Sequence, residues 1–559
     1  MSQKYLYGAS VQGIQDYIFK TNALKEIIGG TEIVQRICTD LFEGVLKKTG
    51  GSFNDENCIV RAAGNVRYIF DSKEDCQKVF RVFPKAVLEE APGVTISQAA
   101  VPYDDNYAAC SQKLEEKLHA QRNRPMRSTQ LGLMGIKRNP RTGMPALAEE
   151  GGPDEGIKQK LAYSNARSLC EKAFGKDVEA DHFPFNLGDL TGQNDWIAVI
   201  HADGNGMGRR FQEAGRSGIK DLKSLSQSID KKTSEAAQAA YEIIAGKYKF
   251  SDLPTIPIRP IVLSGDDFSV ICRADLALDY VCEFIKAFEQ KTKTLTEDQS
   301  GFSACAGIAF VKSSFPFYFS YALAESLCDE AKKEAREINK SCVLFHKVQD
   351  SFYSDFKDIK ERELSPRPPQ PRAACQNENV APDDSRYSLC FGPYYIKLWT
   401  QQELKDALNN ISDRNEQNTV RNWLSSLSVN PARNSWTVTD LMGVTNNISD
   451  RNEQNTVRKW LVGLCFHSEG DSWLVDGLKL AVDMVNDKNN LKNIVRKWLS
   501  GVSVNPDQAV QWVKRARAVN SRDEKLCEWI DRLTRMDPGP SPAYDVLSLN
   551  TVIHQTTKK

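Results

Sequence analysis

Three aspartates carry the chemistry this sequence could do. Asp203 stands in Ala202-Asp-Gly-Asn-Gly206, directly after the apolar run Trp196-Ile-Ala-Val-Ile-His201. Asp266 and Asp267 end the motif Ser264-Gly-Asp-Asp267, directly after the apolar stretch 258–263. Carboxylates brought within a few Å at the ends of buried strands repel one another, and a divalent cation placed between them removes that cost. The trio is the candidate metal site, for Mg²⁺ or Mn²⁺. Gly204, Gly206 and Gly208 withdraw side chains where strand passes into helix, leaving backbone N–H groups and a helix N-terminus open to a triphosphate. Two cations about 3.5 to 4 Å apart would activate an attacking hydroxyl and neutralise a leaving pyrophosphate, which is nucleotidyl-transfer chemistry. Either motif alone reads as a turn. Their pairing, 63 residues apart and each after a buried strand, is what points to a site.

The elements that must position these acids follow from periodicity. The run 196–201 predicts a strand that opens into a helix past Gly206, and 258–263 with 268–273 predicts a hairpin whose turn carries the two adjacent acids. A helix over 275–290, a strand over 303–311, a helix over 319–338 and a strand over 342–348 complete an α/β unit. In that last helix Ala331-Lys-Lys-Glu-Ala-Arg336 places Lys332 where it could reach phosphates, or where it is simply solvated. Upstream, strands over 6–10, 58–62 and 67–70, a loop and helix from Gly13, and a helix over 76–90 make a smaller α/β unit around Ala63-Gly-Asn65. His201 reads as a packing residue.

The domain plan is a first α/β unit at 1–100, a polar, turn-rich linking subdomain at 101–190, the acid-bearing unit at 191–363, a linker at 364–390 and a helical region at 391–559. Pro366, Pro368, Pro369, Pro371 and Pro382 mark the linker. Within the linking subdomain, Arg122, Arg124, Arg127, Lys137, Arg138 and Arg141 stand without an intervening acid. They could grip RNA or nucleotide phosphates, and a solvated surface is the plainer reading. In the helical region Asn409-Asn-Ile-Ser-Asp-Arg-Asn-Glu-Gln-Asn-Thr-Val-Arg421 recurs letter for letter 37 residues later, and a diverged copy contains Val495-Arg-Lys-Trp-Leu499. Trp423, Trp460 and Trp498 then occupy equivalent helix positions, as stacked repeats burying a Trp-Leu seam require.

With 559 residues, 41% hydrophobic and 26% charged, the chain has room for about three to five globular units. Lys plus Arg and Asp plus Glu both number 73, so bulk basicity does not advertise nucleic acid. Neither a signal-peptide pattern nor an apolar run near 18 residues is present, which predicts a cytoplasmic protein. The 14 cysteines include no Cys-x-x-Cys pair and predict reduced, buried thiols.

Ala202-Asp-Gly-Asn-Gly-Met-Gly208, Leu263-Ser-Gly-Asp-Asp267, Ser303-Ala-Cys-Ala-Gly-Ile-Ala309 and Ala322-Leu-Ala-Glu-Ser-Leu-Cys-Asp-Glu-Ala-Lys332 resemble the second palm domain of the large subunit of type III CRISPR effector complexes, the Cas ten family. Gly13-Ile-Gln-Asp-Tyr-Ile-Phe19, Leu24-Lys-Glu-Ile-Ile-Gly-Gly30 and Arg61-Ala-Ala-Gly-Asn65 resemble its first palm. The resemblance implies two ferredoxin-like α/β (α+β) palms followed by an all-α domain, and a site that joins ATP into cyclic oligoadenylate. It implies metal at Asp203, Asp266 and Asp267. Nucleotide would lie along Gly204, Asn205, Gly206, Gly208, Ser264, Gly265 and Lys332, and in the first palm at Gly64 and Asn65, where the acidic pair is missing. Guide RNA and backbone subunits, or a second copy of the chain, are the implied partners. The family's HD nuclease and four-cysteine zinc site find no counterpart, and the turn is Ser-Gly-Asp-Asp instead of Gly-Gly-Asp-Asp. Two other readings remain: a catalytically silent architectural subunit of an RNA-guided complex, and a GTP-using cyclase of the GGDEF type.

Overall fold

The computed structural model describes residues 3–62, 64–104, 106–123, 135–147, 153–176, 178, 182–191, 195–338, 340–349, 355–365, 388–426, 435–466, 473–502, 506–534 and 540–553. Ala63, Arg124, Arg127, the side chain of Arg336, the proline-rich stretch 366–387 and the segment 428–431 lie outside the described residues. The chain divides into two compact units. One comprises Met1–Arg273, Asp279–Phe302 and Lys312–Ala322, the other Ala274–Leu278, Ser303–Val311 and Leu323–Lys559.

The first unit begins with β1 (Lys4–Gln12), α1 (Ile14–Phe19), α2 (Leu24–Arg36), a π turn at 37–41, α3 (Phe42–Lys48), β2 (Cys58–Ala62), β3 (Asn65–Phe70), α4 (Lys73–Glu90), β4 (Thr95–Tyr103) and α5 (Tyr107–Arg122). The four strands form an antiparallel sheet in the order β2-β3-β1-β4. Successive residues of central β1 serve opposite faces, as strand geometry demands. Tyr7 packs on Phe42 of α3 and Phe80 of α4. Leu6 faces the other way, into a cluster with Leu114 and Leu118 of α5. Gly8 lets α5 approach, since a Cβ there would stand 2.7 Å from Leu114 Cδ2.

The linking segment supplies α6 (Glu155–Ala162), α7 (Ser168–Phe174) and α8 (Leu187–Leu190). It is followed by β5 (Trp196–Gly204), α9 (Met207–Ser217), the long α10 (Ile219–Lys247), β6 (Ile258–Ser264), β7 (Asp267–Arg273) and α11 (Ala277–Thr292). Strands β5, β7 and β6 are antiparallel neighbours in that order. Ala198, Ile200 and Ala202 of β5 and Phe268, Val270 and Cys272 of β7 are fully buried. Phe211 and Ala214 of α9 and Ile219 and Leu222 of α10 join the apolar cluster on the α5 side of the first sheet.

The second unit contains β8 (Ala304–Lys312) up to Val311, parallel to β9 (Cys342–Lys347), and α12 (Phe317–Ile338) from Leu323 on, between them in sequence, then α13 (Phe356–Arg362) and the edge strand β10 (Tyr394–Tyr395). The repeat array comes next along the chain: β11 (Trp399–Thr400), α14 (Gln401–Ala407), α15 (Arg414–Ser426), β12 (Ser435–Trp436), α16 (Val438–Val444), α17 (Arg451–Leu464), α18 (Val475–Asp487) and α19 (Asn489–Val502). The copies extend further upstream than letter identity shows. Trp399, Trp436 and Trp473 succeed one another at 37 residues, all buried, and so do the fully buried Leu404, Leu441 and Leu478. Trp399 pairs with Trp436 across β11 and β12. Thr400 and Thr437 each form a capping box at the start of their helix. Of the three seam tryptophans, Trp423 and Trp498 are buried and Trp460 is partly buried. Helices α20 (Pro506–Val519), α21 (Glu524–Leu533) and α22 (Ala543–Ile553) end the described chain. Among the described residues no helix is long and apolar enough to cross a membrane, and 13 cysteines are free, 11 of them buried.

Candidate active site

The site grows from the ends of β5 and the β6–β7 hairpin. His201 lies opposite Ser269 and Ala202 opposite Phe268, so the same register carried one residue on sets Asp203 opposite Asp267. Ser264 pairs with Asp267, leaving Gly265 and Asp266 as a two-residue turn. Gly265 has φ +63, the conformation glycine supplies at the first central position of a tight hairpin. The turn delivers Asp266 to Asp203.

The two carboxyls share a hydrogen bond. Burial pushes the Asp266 carboxyl up from 3.8 to about 8, assisted by that hydrogen bond and the Asp203 charge, with a smaller push from Asp267. At neutral pH Asp266 therefore keeps its proton, held first by burial and then by the neighbouring Asp203 carboxyl. Gly204 makes the approach possible: a Cβ there would lie 3.2 Å from both Cβ and Oδ2 of Asp266 and 2.9 Å from Met207 Cγ. Gly206, at φ +70, turns the chain into α9, whose N-terminus has no side-chain cap and no acid in its first turn. Asn205 is half-buried in the turn, and Gly208 is exposed in the first turn of α9.

Asp267 meets a different neighbour. Its Oδ1 is 3.5 Å from His201 Nδ1, which is 3.0 Å from Ser269 Oγ. Tyr321 brings its hydroxyl to 3.4 Å from Ser269 Oγ and stacks its ring on Phe19 of α1 at 4.0 Å. His201 is buried, as a packing residue should be, yet it packs beside a candidate ligand.

A cavity of about 1320 Å³ spreads from this floor. Ser264, Gly265, Asp266 and Asp267 line it at one side, and Ile18, Val34 and Asn65 of the first α/β unit line it elsewhere. Gly64, at φ +79, precedes Asn65 in the β2–β3 turn. Arg67 and Arg122 also reach the wall. Arg67 pairs with Glu115, and the buried Arg67 Nη1 and Arg122 Nε have no hydrogen-bond partner. Of the other bases in that segment, Arg141 pairs with Glu26 at 2.5 Å and Arg138 donates to its own loop at Gly143 O, 2.7 Å. Lys137 is exposed. Lys332 is half-buried on α12 in the second unit. Arg67 escaped the sequence reading because an alternating strand position gives no sign of what it faces.

These strands and turns are those of a palm domain. Residues 196–341 match the family model of the Cas10/Cmr2 second palm domain. Across the whole chain, the fold is similar to Csm1 in T. onnurineus, at 14% identity and TM-score 0.51. It is similar at TM-score 0.51 to Csm1–Csm4 cassettes solved with cA4, at 12% identity, and with one ATP, at 13%. Each of these matches covers 100% of this chain and 70% of the other. Against a cassette with AMPPNP, at 14% identity and TM-score 0.42, the chain covers 61% of itself and 54% of that chain, about half its length. No curated protein matches the sequence.

A divalent cation fits the donors present. Among the described residues no three His, Cys, Asp or Glu side chains are gathered as a ready cage. The hydrogen-bonded Asp203–Asp266 pair, crowded enough to retain a proton, is instead the kind of site Mg²⁺ occupies through one or two carboxylates, completed by substrate phosphates and water.

Proposed function

We propose that this chain is a nucleotidyltransferase that joins ATP into cyclic oligoadenylate, acting as the Csm1-type subunit of a type III CRISPR complex. The observation that carries the reading is the hydrogen-bonded Asp203–Asp266 pair, whose Asp266 lines a cavity that extends to Asn65 in the first palm. Relatives of the same fold solved with ATP and with cA4 support the substrate and product class. A Csm4-type subunit and guide RNA are the corresponding partners, and nucleotide without acid-assisted chemistry is the role left to Gly64 and Asn65.

In this reading the 3′ hydroxyl of one nucleotide attacks the α-phosphorus of the other and pyrophosphate leaves in line. Bound divalent metal supplies an acidified hydroxyl and neutralised phosphate charge. Asp203 and Asp266 would hold it, with Asp267 of the same hairpin beside them. Gly204, Asn205 and Gly206 pass the phosphates over bare backbone towards the N-terminus of α9, whose dipole favours anions. Ser264 and Gly265 border the same space, and Ile18 and Val34 give a base an apolar surface.

The test is full-length protein, alone and with a Csm4-type subunit and RNA, incubated with mixed nucleoside triphosphates and Mg²⁺, with products weighed by mass spectrometry. Cyclic oligoadenylate and pyrophosphate are expected, and Asp266→Ala combined with Asp267→Ala should abolish both. Undiminished product from the double variant overturns the assignment, and guanylate products move it to a GTP-using cyclase.

A further inference from the structure

Two residues outside every motif hold the Gly265–Asp266 turn. Asp230 of α10 accepts, on Oδ1, the Gly265 N–H at 3.0 Å and Lys172 Nζ at 2.8 Å. Lys172, on α7, also donates to Leu263 O at 2.9 Å. Leu263 and Gly265 flank Ser264, so one ion pair grips the backbone on both sides of the residue that precedes the turn. The grip is itself anchored, because Gln238 Nε2 of α10 donates to Lys172 O at 3.1 Å. The pair is partly exposed, with 28% and 42% of the Lys172 and Asp230 side chains open to solvent, and such pairs add little to global stability. What it adds is position. Asp266 rides on a two-residue turn, so its approach to Asp203 is only as firm as the backbone on either side of it.

We propose that Lys172 and Asp230 are positioning residues that hold the Gly265–Asp266 turn in place, so that Asp266 stays in range of Asp203 when a divalent cation is taken up. The proposal rests on the nucleotidyltransferase reading of this site. It makes α7, contributed by the linking segment, part of the catalytic apparatus without contact to substrate.

Full-length Asp230→Ala, Asp230→Asn and Lys172→Met proteins test it, with the partners that support synthesis. Three quantities are read: kcat and KM for ATP, Mn²⁺ affinity by electron paramagnetic resonance without nucleotide, and melting temperature. A displacement near 1 Å at a reacting centre costs about 10²-fold. Asp230→Ala should therefore lose about 10- to 100-fold in kcat with KM for ATP unchanged within about threefold. Its Mn²⁺ affinity should fall at least about fivefold, while its melting temperature stays within about 3 °C. Asp230→Asn keeps an oxygen for the Gly265 N–H and should recover most of both losses, with Lys172→Met in between. Wild-type Mn²⁺ affinity and kcat in Asp230→Ala overturn the proposal, and so does an Asn variant as damaged as the Ala variant. If product formation survives Asp266→Ala with Asp267→Ala, the synthetase reading falls by itself, and the Mn²⁺ titration still decides the clamp.

Discussion

Replacing Asp266 by Asn tests the cost of burying this carboxyl beside Asp203, because the amide imitates the protonated acid and can still hydrogen-bond Asp203. The folded-state value of about 8 lies above the ordinary 3.8. The native state therefore binds this proton more tightly than the unfolded chain does, and the stability it contributes is complete below about pH 4 and lost as pH rises towards 8. At about 1.4 kcal/mol per unit, a site that could not relax would lose about 4 kcal/mol between pH 5 and pH 8. Sharing the proton with Asp203 and admitting water reduce this, and a loss of at least about 1 kcal/mol, or about 2 to 4 °C in the melting temperature, is the expected remainder. The assay is thermal or urea unfolding of both proteins in EDTA at pH 5, 6.5 and 8. The variant should match or trail the wild type at pH 5 and exceed it at pH 8. Mg²⁺ at ten times its dissociation constant should then return about 1.4 kcal/mol to the wild type at pH 8 and much less to the variant. Parallel stability profiles in EDTA would refute the reasoning, since they would mean that burial beside Asp203 does not raise the Asp266 carboxyl above its unfolded value.

Gly204→Ala should cut Mn²⁺ affinity and synthesis by about 10-fold or more while the protein remains folded, because the new Cβ must displace the Asp266 side chain from 3.2 Å; titration and circular dichroism check the two halves. Gly29→Ala drives a Cβ to 1.8 Å from the Lys160 carbonyl oxygen, so α2 and α6 must separate, and about 1 to 3 kcal/mol of stability should go in denaturant unfolding. In the repeat array Trp498→Ala should cost about 3 to 5 kcal/mol, since that side chain is fully buried, and Trp460→Ala less than half as much.

The parts of the fold that were legible in the sequence are those whose cause is local. A buried strand announces itself as an apolar run, and a turn needing positive φ announces itself as glycine, so β5, β6, β7 and the Gly265 turn could all be placed in advance. The helix between β8 and β9 was equally visible in its periodicity. The clamp was not, because Lys172 and Asp230 are 58 residues apart and each sits on a helix whose pattern tells which face is buried and never what an exposed side chain will meet. The upstream halves of the repeats were hidden for another reason. Between Trp399, Trp436 and Trp473 the surrounding letters diverge while the burial of the ring is kept, and letter identity cannot register a preserved cavity.

The two palms invite comparison at their hairpins. In the first, Asn65 opens β3 opposite Ala62 with Gly64, at φ +79, before it; in the second, Asp267 opens β7 opposite Ser264 with Asp266 before it. Where the second turn carries a carboxyl the first carries a glycine, and the acid that opens the strand is replaced by an amide. The first turn therefore brings no charge and creates no demand for a cation, whereas Asp266, buried beside Asp203, has its carboxyl pushed up to about 8. The cavity that both hairpins line thus has an acidic place at Asp266, with Arg67 Nη1 and Arg122 Nε, buried without hydrogen-bond partners, elsewhere on its wall. In the proposed reading a polyphosphate would be drawn to the arginine side and repelled at the carboxyls unless a cation stood between them.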